Sequence, residues 1–222
     1  MLDKIGESSR RVPRRAFPVG LDLTGRRVVV VGGGPVGRRK AAAARDAGAI
    51  VRVVAPEPRP AEVAAEIEWV SEPYQSRHLE GQMLVFAAAT TAVNAFVVAD
   101  ATARQLWVCD SADPARGTFT TPAVGARGSV TVAVDTAGAA PALARRLRDR
   151  IVEQLAPAIA DWAELLAEVR GVVLAKVTDA RLRRALLTDF ADWPWLERLQ
   201  RDGLDATRRA MRQAVDEAAG RG

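Results

Sequence analysis

Six consecutive residues, Gly32-Gly33-Gly34-Pro35-Val36-Gly37, place three glycines at the spacing G-x-G-x-x-G. Glycines gather in any tight turn, so the spacing alone says little. Its setting says more. Four valines, Val28–Val31, run into it, and a stretch of helical composition, Arg38–Ala47, follows it before Gly48. A strand, a glycine loop and a helix within about 30 residues is the arrangement that cradles the pyrophosphate of a dinucleotide. Gly32 and Gly34 let the backbone turn tightly against the phosphates, whose charge sits at the helix N-terminus, and Gly37 lets the helix pack closely on the strand. Gly32, Gly33, Gly34, Pro35, Val36 and Gly37 are the expected cofactor contacts.

A second strand, Ile50–Val54, should end near an acid that takes the ribose hydroxyls. The chain there reads Val53-Val54-Ala55-Pro56-Glu57, so the acid is displaced and Pro56 and Glu57 are the nearest candidates. A carboxylate repels a 2′-phosphate, which favours NAD over NADP. Arg59, two residues on, argues the opposite.

These residues need a scaffold, and the chain alternates in a way that supplies one. Glu68–Ser71, Met83–Ala89 and Leu106–Cys109 read as further strands, and Ala92–Arg104 as a helix. Pro60–Ala65 has helical composition. The pattern is β-α-β repeated, an α/β Rossmann-type parallel sheet. It then changes. Thr118–Val124 and Ser129–Val134 flank Gly125-Ala-Arg-Gly128 as a hairpin, and a helix runs from Pro141 to about Leu155. From there the chain reads as all helical. Ile159, Trp162, Leu166, Val169 and Val173 recur at three- and four-residue steps, the spacing of one helix face. The expected division is a basic tail over 1–16, a nucleotide-binding domain over 17–118, a hairpin-plus-helix segment over 119–155 and a helical C-terminal domain over 156–222.

Composition narrows the chemistry. Hydrophobic residues make up 49% of the 222, enough for a substantial core, and no apolar run approaches the roughly 20 residues of a membrane span. The basic N-terminus lacks the apolar region of a secretory signal, so a cytoplasmic protein is expected. With one cysteine, Cys109, and one histidine, His78, no intramolecular disulfide, multi-cysteine metal site or histidine-rich zinc site can form, and no metal-binding residue is assigned. Cys109 reads as a packing residue and His78 as a loop residue. Trp162, Trp193 and Trp195 read as builders of the helical core. Only three of 32 basic residues are lysine. Arginine suits bidentate binding of carboxylates or phosphates, and an arginine-rich genome would give the same bias. No nucleic-acid-binding motif accompanies the charge.

The ordered set of motifs resembles the precorrin-2 dehydrogenase family, the NAD-binding module of siroheme synthases. The matching stretches are Phe17-Pro-Val with Leu23, then Val31-Gly-Gly-Gly-Pro-Val-Gly-Arg-Arg-Lys40, and Ala87-Ala-Ala-Thr90 with Asn94. Further on come Cys109 to Asp113, Phe119 to Pro122, and Val132-Ala-Val134 through Pro141-Ala-Leu-Ala-Arg145. The resemblance covers residues 17–155 well and the helical tail loosely. It implies oxidation of precorrin-2, a tetrapyrrole bearing many carboxylates, to sirohydrochlorin with NAD as hydride acceptor, and it adds Thr90 to the cofactor contacts. Some members also insert ferrous iron, so ferrous or cobaltous ion is a second expected substrate. The methyltransferase module fused to some members is expected to be absent, the sequence stopping at Gly222.

The resemblance also assigns residues to the substrate. Asp113 matches the family's functional aspartate and Asp110 occupies its asparagine position, so Asp113 is expected to accept the proton or position substrate and metal. An Asp before Pro114 would also serve as a turn cap. Asp135-Thr136-Ala137-Gly138 stands where members carry Ser-Ser-Gly-Gly, which makes Thr136 and Gly138 candidate substrate contacts. A helix cap is the other reading of Thr136. Arg145, with Arg146 and Arg148, is a candidate partner for substrate carboxylates or part of a solvated helix face. The hairpin and helix of 119–155 are expected to be covered by a second subunit, making a homodimer. A catalytically silent NAD-binding regulator or tetrapyrrole sensor with the same fold is the competing reading.

Overall fold

The computed structural model describes residues 16–220, so the expected tail lies outside the described residues but for its last position. Five strands form one parallel sheet: β1 (Arg27–Val31), β2 (Ile50–Val54), β3 (Glu68–Val70), β4 (Leu84–Ala87) and β5 (Trp107–Asp110). Their order is β3-β2-β1-β4-β5. The four valines of β1 are at most 2% exposed, because a central parallel strand is covered on both faces and has no polar side to show. Val28 and Val30 pack with Ala41 and Ala44 of helix α1 (Pro35–Asp46). Val29 and Val31 pack on the other face with Val97 and Ala101 of helix α2 (Thr91–Ala103). The order reverses direction between β1 and β4, and the carboxyl ends of strands at such a switch are where open α/β sheets bind ligands.

One expected element does not form. Pro60–Ala65 is a pair of successive turns, with Val63 donating to the Pro60 carbonyl (3.1 Å) and Ile67 to the Ala64 carbonyl (3.1 Å). Six residues are too few to overcome helix nucleation, and the Arg59 guanidinium takes the Val63 carbonyl (2.7 Å) that a helix would use. The hairpin is present with a shifted turn. β6 (Ala123–Arg127) pairs antiparallel with β7 (Val130–Val134), and Arg127 opposes Val130, so the turn is Gly128-Ser129. Gly128 adopts φ +59°, the first-position glycine of a two-residue turn. Gly125 lies within β6, where a Cβ would stand 2.8 Å from the Arg148 side chain.

Helix α3 (Pro141–Gln154) lies on that hairpin, and four more helices follow: α4 (Ile159–Lys176), α5 (Ala180–Phe190), α6 (Trp193–Asp202) and α7 (Leu204–Ala219). Trp162, Leu165, Val169 and Val173 of α4 form the seam that buries Phe190, Leu196, Met211 and Val215. Trp195 packs edge-on against Phe190 at 5.2 Å. Trp193 departs from the expectation: it rests 5.9 Å from Trp162 but is 63% exposed, because it starts α6 at the rim of the core. The chain divides into two compact units. One is the chain up to Thr121 with Ala137–Ala139, and the other is Pro122–Thr136 with the chain from Ala140 onward. Among the described residues no helix is long and apolar enough to cross a membrane.

Candidate active site

The expected cofactor residues gather at the carboxyl ends of the strands of the first unit. Gly32 ends β1 with φ +116°, and a Cβ there would stand 2.4 Å from the Ala88 carbonyl oxygen after β4. A Cβ on Gly37 would fall 1.9 Å from the Gly32 carbonyl oxygen. Both positions exclude a side chain outright, so the turn between β1 and α1 closes only with hydrogen at those points. Gly34 has open space around it and is the N-cap of α1, with no side chain capping the helix and Pro35 at its start. The first amides of α1 after Pro35, those of Val36 and Gly37, have no partner in their own helix. Helices α2, α5 and α6 are capped by the side chains of Thr90, Asp179 and Asp192, whereas the N-cap residues of α3, α4 and α7, like that of α1, supply no side-chain cap. An uncapped, positive N-terminus behind a loop without side chains fits the pyrophosphate of a dinucleotide.

Beside this loop lies a residue the sequence reading passed over. The Trp69 ring of β3 packs under Gly33, where a Cβ would meet it at 2.7 Å, and its indole N–H donates to the Glu57 carbonyl (2.9 Å). Trp69 therefore fastens the loop after β2 to the glycine loop. Pro56 and Glu57 are exposed on that loop. Arg59, which could have favoured a 2′-phosphate, is turned onto the Val63 carbonyl, and Arg38 is paired with Glu62 at 2.6 Å. Thr90 follows β4, and its hydroxyl accepts the Val93 amide at 3.4 Å.

Asp113 stands after β5 on the same edge of the sheet. It caps a 3-10 turn over Pro114–Arg116, with Oδ1 accepting the Ala115 amide (3.1 Å) and Oδ2 3.5 Å from Arg116 Nε. The turn therefore uses Oδ1 alone. Behind it Asp110 is fully buried. Its Oδ1 accepts from Asn94 Nδ2 (3.0 Å) and from the amides of Ala112 (2.9 Å) and Asp113 (3.2 Å), while Arg116 Nη2 lies 2.9 Å from Oδ2.

Lys40, which the sequence offers only as the end of a motif, reaches from α1 across the sheet. Its ammonium donates to the Thr121 hydroxyl and lies 5.5 Å from the Phe86 ring. Burial pushes its pKa below the usual lysine range, the neighbouring Cys109 thiol opposes the shift, and Arg39 adds to it. Cys109 is buried, and burial pushes its thiol up, with Lys40 working against the rise. That is an inert packing cysteine. His78 sits in a 3-10 turn with both ring nitrogens committed: Nδ1 accepts the Gln75 amide (3.0 Å) and Nε2 meets Glu72 Oε1 (2.5 Å). It is 4% exposed, more deeply buried than an ordinary loop residue.

The remaining candidates belong largely to the second unit. The Thr136 hydroxyl accepts the Ala140 amide (3.2 Å), tying the turn that leads into α3. Ala137 and Gly138 follow in left-handed conformation, at φ +52° and +77°. Arg148 is committed to the hairpin through the Val124 carbonyl (3.0 Å). Arg145 and Arg146 are exposed on α3 and have no ion-pair partner among the described residues. No group of three or more potential metal ligands occurs among the described residues.

A family model described as NAD(P)-binding matches residues 19–123. The siroheme synthase of Gluconacetobacter diazotrophicus is 38% identical over 88% of this chain and 43% of its own length. Siroheme synthase 2 of Aeromonas hydrophila is 36% identical over 93% of this chain and 47% of its own. Among solved structures, SirC, a precorrin-2 dehydrogenase, superposes with a TM-score of 0.75 at 26% identity, covering 91% of this chain and 100% of that one. The chain belongs to the precorrin-2 dehydrogenase and siroheme synthase family. It spans less than half the length of the siroheme synthases just compared. The match in fold runs past the nucleotide-binding sheet into the family's later elements, since it takes in nine-tenths of the chain.

Proposed function

We propose that this chain is an NAD-dependent precorrin-2 dehydrogenase that works in the cytoplasm as a homodimer. The observation that carries the reading is the sharing of one sheet edge by the uncapped α1 N-terminus after β1 and the Asp113 carboxylate after β5. NAD, when bound, accepts the hydride. Gly32, Gly34 and the first turn of α1 would hold its pyrophosphate, and Glu57 would take its ribose hydroxyls. The reaction converts precorrin-2 and NAD to sirohydrochlorin, NADH and a proton. Asp113 receives the proton on Oδ2, the oxygen not used by the turn. Thr136, Gly138 and Arg145 are the residues proposed to meet substrate carboxylates, Arg145 because its guanidinium is free to form a bidentate pair.

The test is Asp113→Ala. A positioned acid–base group contributes about 10²- to 10⁴-fold, so NADH production from precorrin-2 should fall by at least about a hundredfold while NAD still binds. Unchanged turnover would remove Asp113 from the mechanism. Adding ferrous or cobaltous ion to the product tests the second activity in the same cuvette, since metal insertion also needs a base to take pyrrole protons.

A further inference from the structure

We infer that Asn94 and Asp110 are a buried positioning pair that holds the Asp113 loop in register with the cofactor-side loop, with Arg116 orienting the Asp113 carboxylate. The inference rests on the reading of Asp113 as proton acceptor. Asn94 lies in the first turn of α2 and is fully buried. Its carboxamide is used at both ends: Oδ1 accepts the Ala89 amide (2.9 Å) and Nδ2 donates to Asp110 Oδ1 (3.0 Å). Ala89 precedes Thr90 on the loop after β4, and Asp110 ends β5. One side chain therefore joins the two loops that carry Thr90 and Asp113.

The charge on Asp110 is more than this tie requires. Holding the amides of Ala112 and Asp113 needs one acceptor oxygen, which an asparagine supplies as well as an aspartate. A buried carboxylate carries a desolvation cost that a carboxamide avoids. What only the carboxylate does is face Arg116 with its second oxygen. Arg116 Nη2 lies 2.9 Å from Asp110 Oδ2, and Nε of the same guanidinium lies 3.5 Å from Asp113 Oδ2. That Nε is buried and makes no aligned hydrogen bond. One guanidinium thus spans a buried carboxylate and the half-buried one proposed to do chemistry. An asparagine at 110 would turn an amino group toward Arg116 and release it from this position.

The test compares Asp110→Asn, Arg116→Gln and the two combined, each measured per folded molecule. The readouts are kcat, the Kd for NAD, and backbone amide exchange at Ala112 and Asp113. Misplacement of a reacting group by about an ångström costs up to about a hundredfold. D110N and R116Q should each lower kcat by about tenfold or more, with Kd for NAD within about twofold of the parent. In D110N exchange at 112 and 113 should stay within about twofold of the parent, because the asparagine oxygen still accepts both amides. The combined variant, which removes the mismatch of two donors, should recover part of the D110N loss. R116Q keeps the test open if D110N does not fold, because Arg116 is at the surface side of the pair. A kcat at the parent value in R116Q or D110N, with D113A inactive, overturns the inference and leaves the Asp113 reading intact. A fully active D113A overturns that reading instead, and the orienting role of Arg116 falls with it.

Discussion

At the scale of single residues, the proposed preference for NAD over NADP turns on Glu57. Its carboxylate is exposed on the loop after β2, and the two arginines nearest in sequence are occupied, Arg52 by Glu68 and Arg59 by the Val63 carbonyl, as is Arg38 of α1 by Glu62. On the proposed reading, an unneutralised carboxylate there would disfavour a 2′-phosphate. Replacing Glu57 with Ala should lower the ratio of kcat/KM for NAD over NADP by about tenfold, which corresponds to about 1.4 kcal/mol. A ratio that does not move would show that another residue discriminates. The places of Glu57 after β2 and Asp113 after β5 were legible in the sequence, because each follows a strand that announces itself by composition. Trp69 and Arg116 were not. Their roles depend on neighbours 12 residues away or on a buried oxygen, and no spacing along the chain encodes a contact of that kind.

At the scale of elements, the β1–α1 turn divides its glycines by function. Gly37→Ala forces a carbon to within 1.9 Å of the Gly32 carbonyl, so the helix must shift away from the strand. Overpacking of this sort costs about 1–3 kcal/mol. The variant should lose that much stability and bind NAD at least about tenfold more weakly. Gly34→Ala meets nothing within 4 Å at an ordinary φ of −68° and should keep its stability within about 1 kcal/mol. Thermal denaturation and NAD titration of both variants check the pair, and equal behaviour would contradict the division. Strands β1, β2 and β5 and helices α1 and α2 were readable because their apolar residues meet a core on a fixed period. Pro60–Ala65 misled because composition favours a helix while length and Arg59 do not. The hairpin turn was placed early because Gly125 resembles a turn residue, whereas its lack of a side chain makes room for Arg148. Ala137 shows the converse: at φ +52° it stands in a left-handed conformation that costs an alanine about 1–2 kcal/mol, and nothing in its residue type announces it.

At the scale of the molecule, α3 leaves Leu143, Leu147 and Ile151 between 40% and 50% exposed at four-residue spacing, with Val124 of β6 also exposed. A continuous apolar stripe on one helix is the signature of a surface that another element covers, and the proposed occupant is a second copy of the chain. Leu147→Glu should convert a dimer to a monomer by light scattering at micromolar concentration. A parent protein that is already monomeric there would contradict the assembly. The helical unit, with its Trp162 seam, was visible as helical from periodicity alone, but how its helices pair was not, since each apolar face is compatible with several partners.

The most direct test of the central claim is turnover itself. Purified protein is given precorrin-2 and NAD, and NADH and sirohydrochlorin absorbance are followed together. Both should rise in equal amounts, and both should depend on Asp113. Bound NAD with no product of either kind would contradict the claim, and would mark the chain as a nucleotide-binding relative that keeps the fold without the reaction.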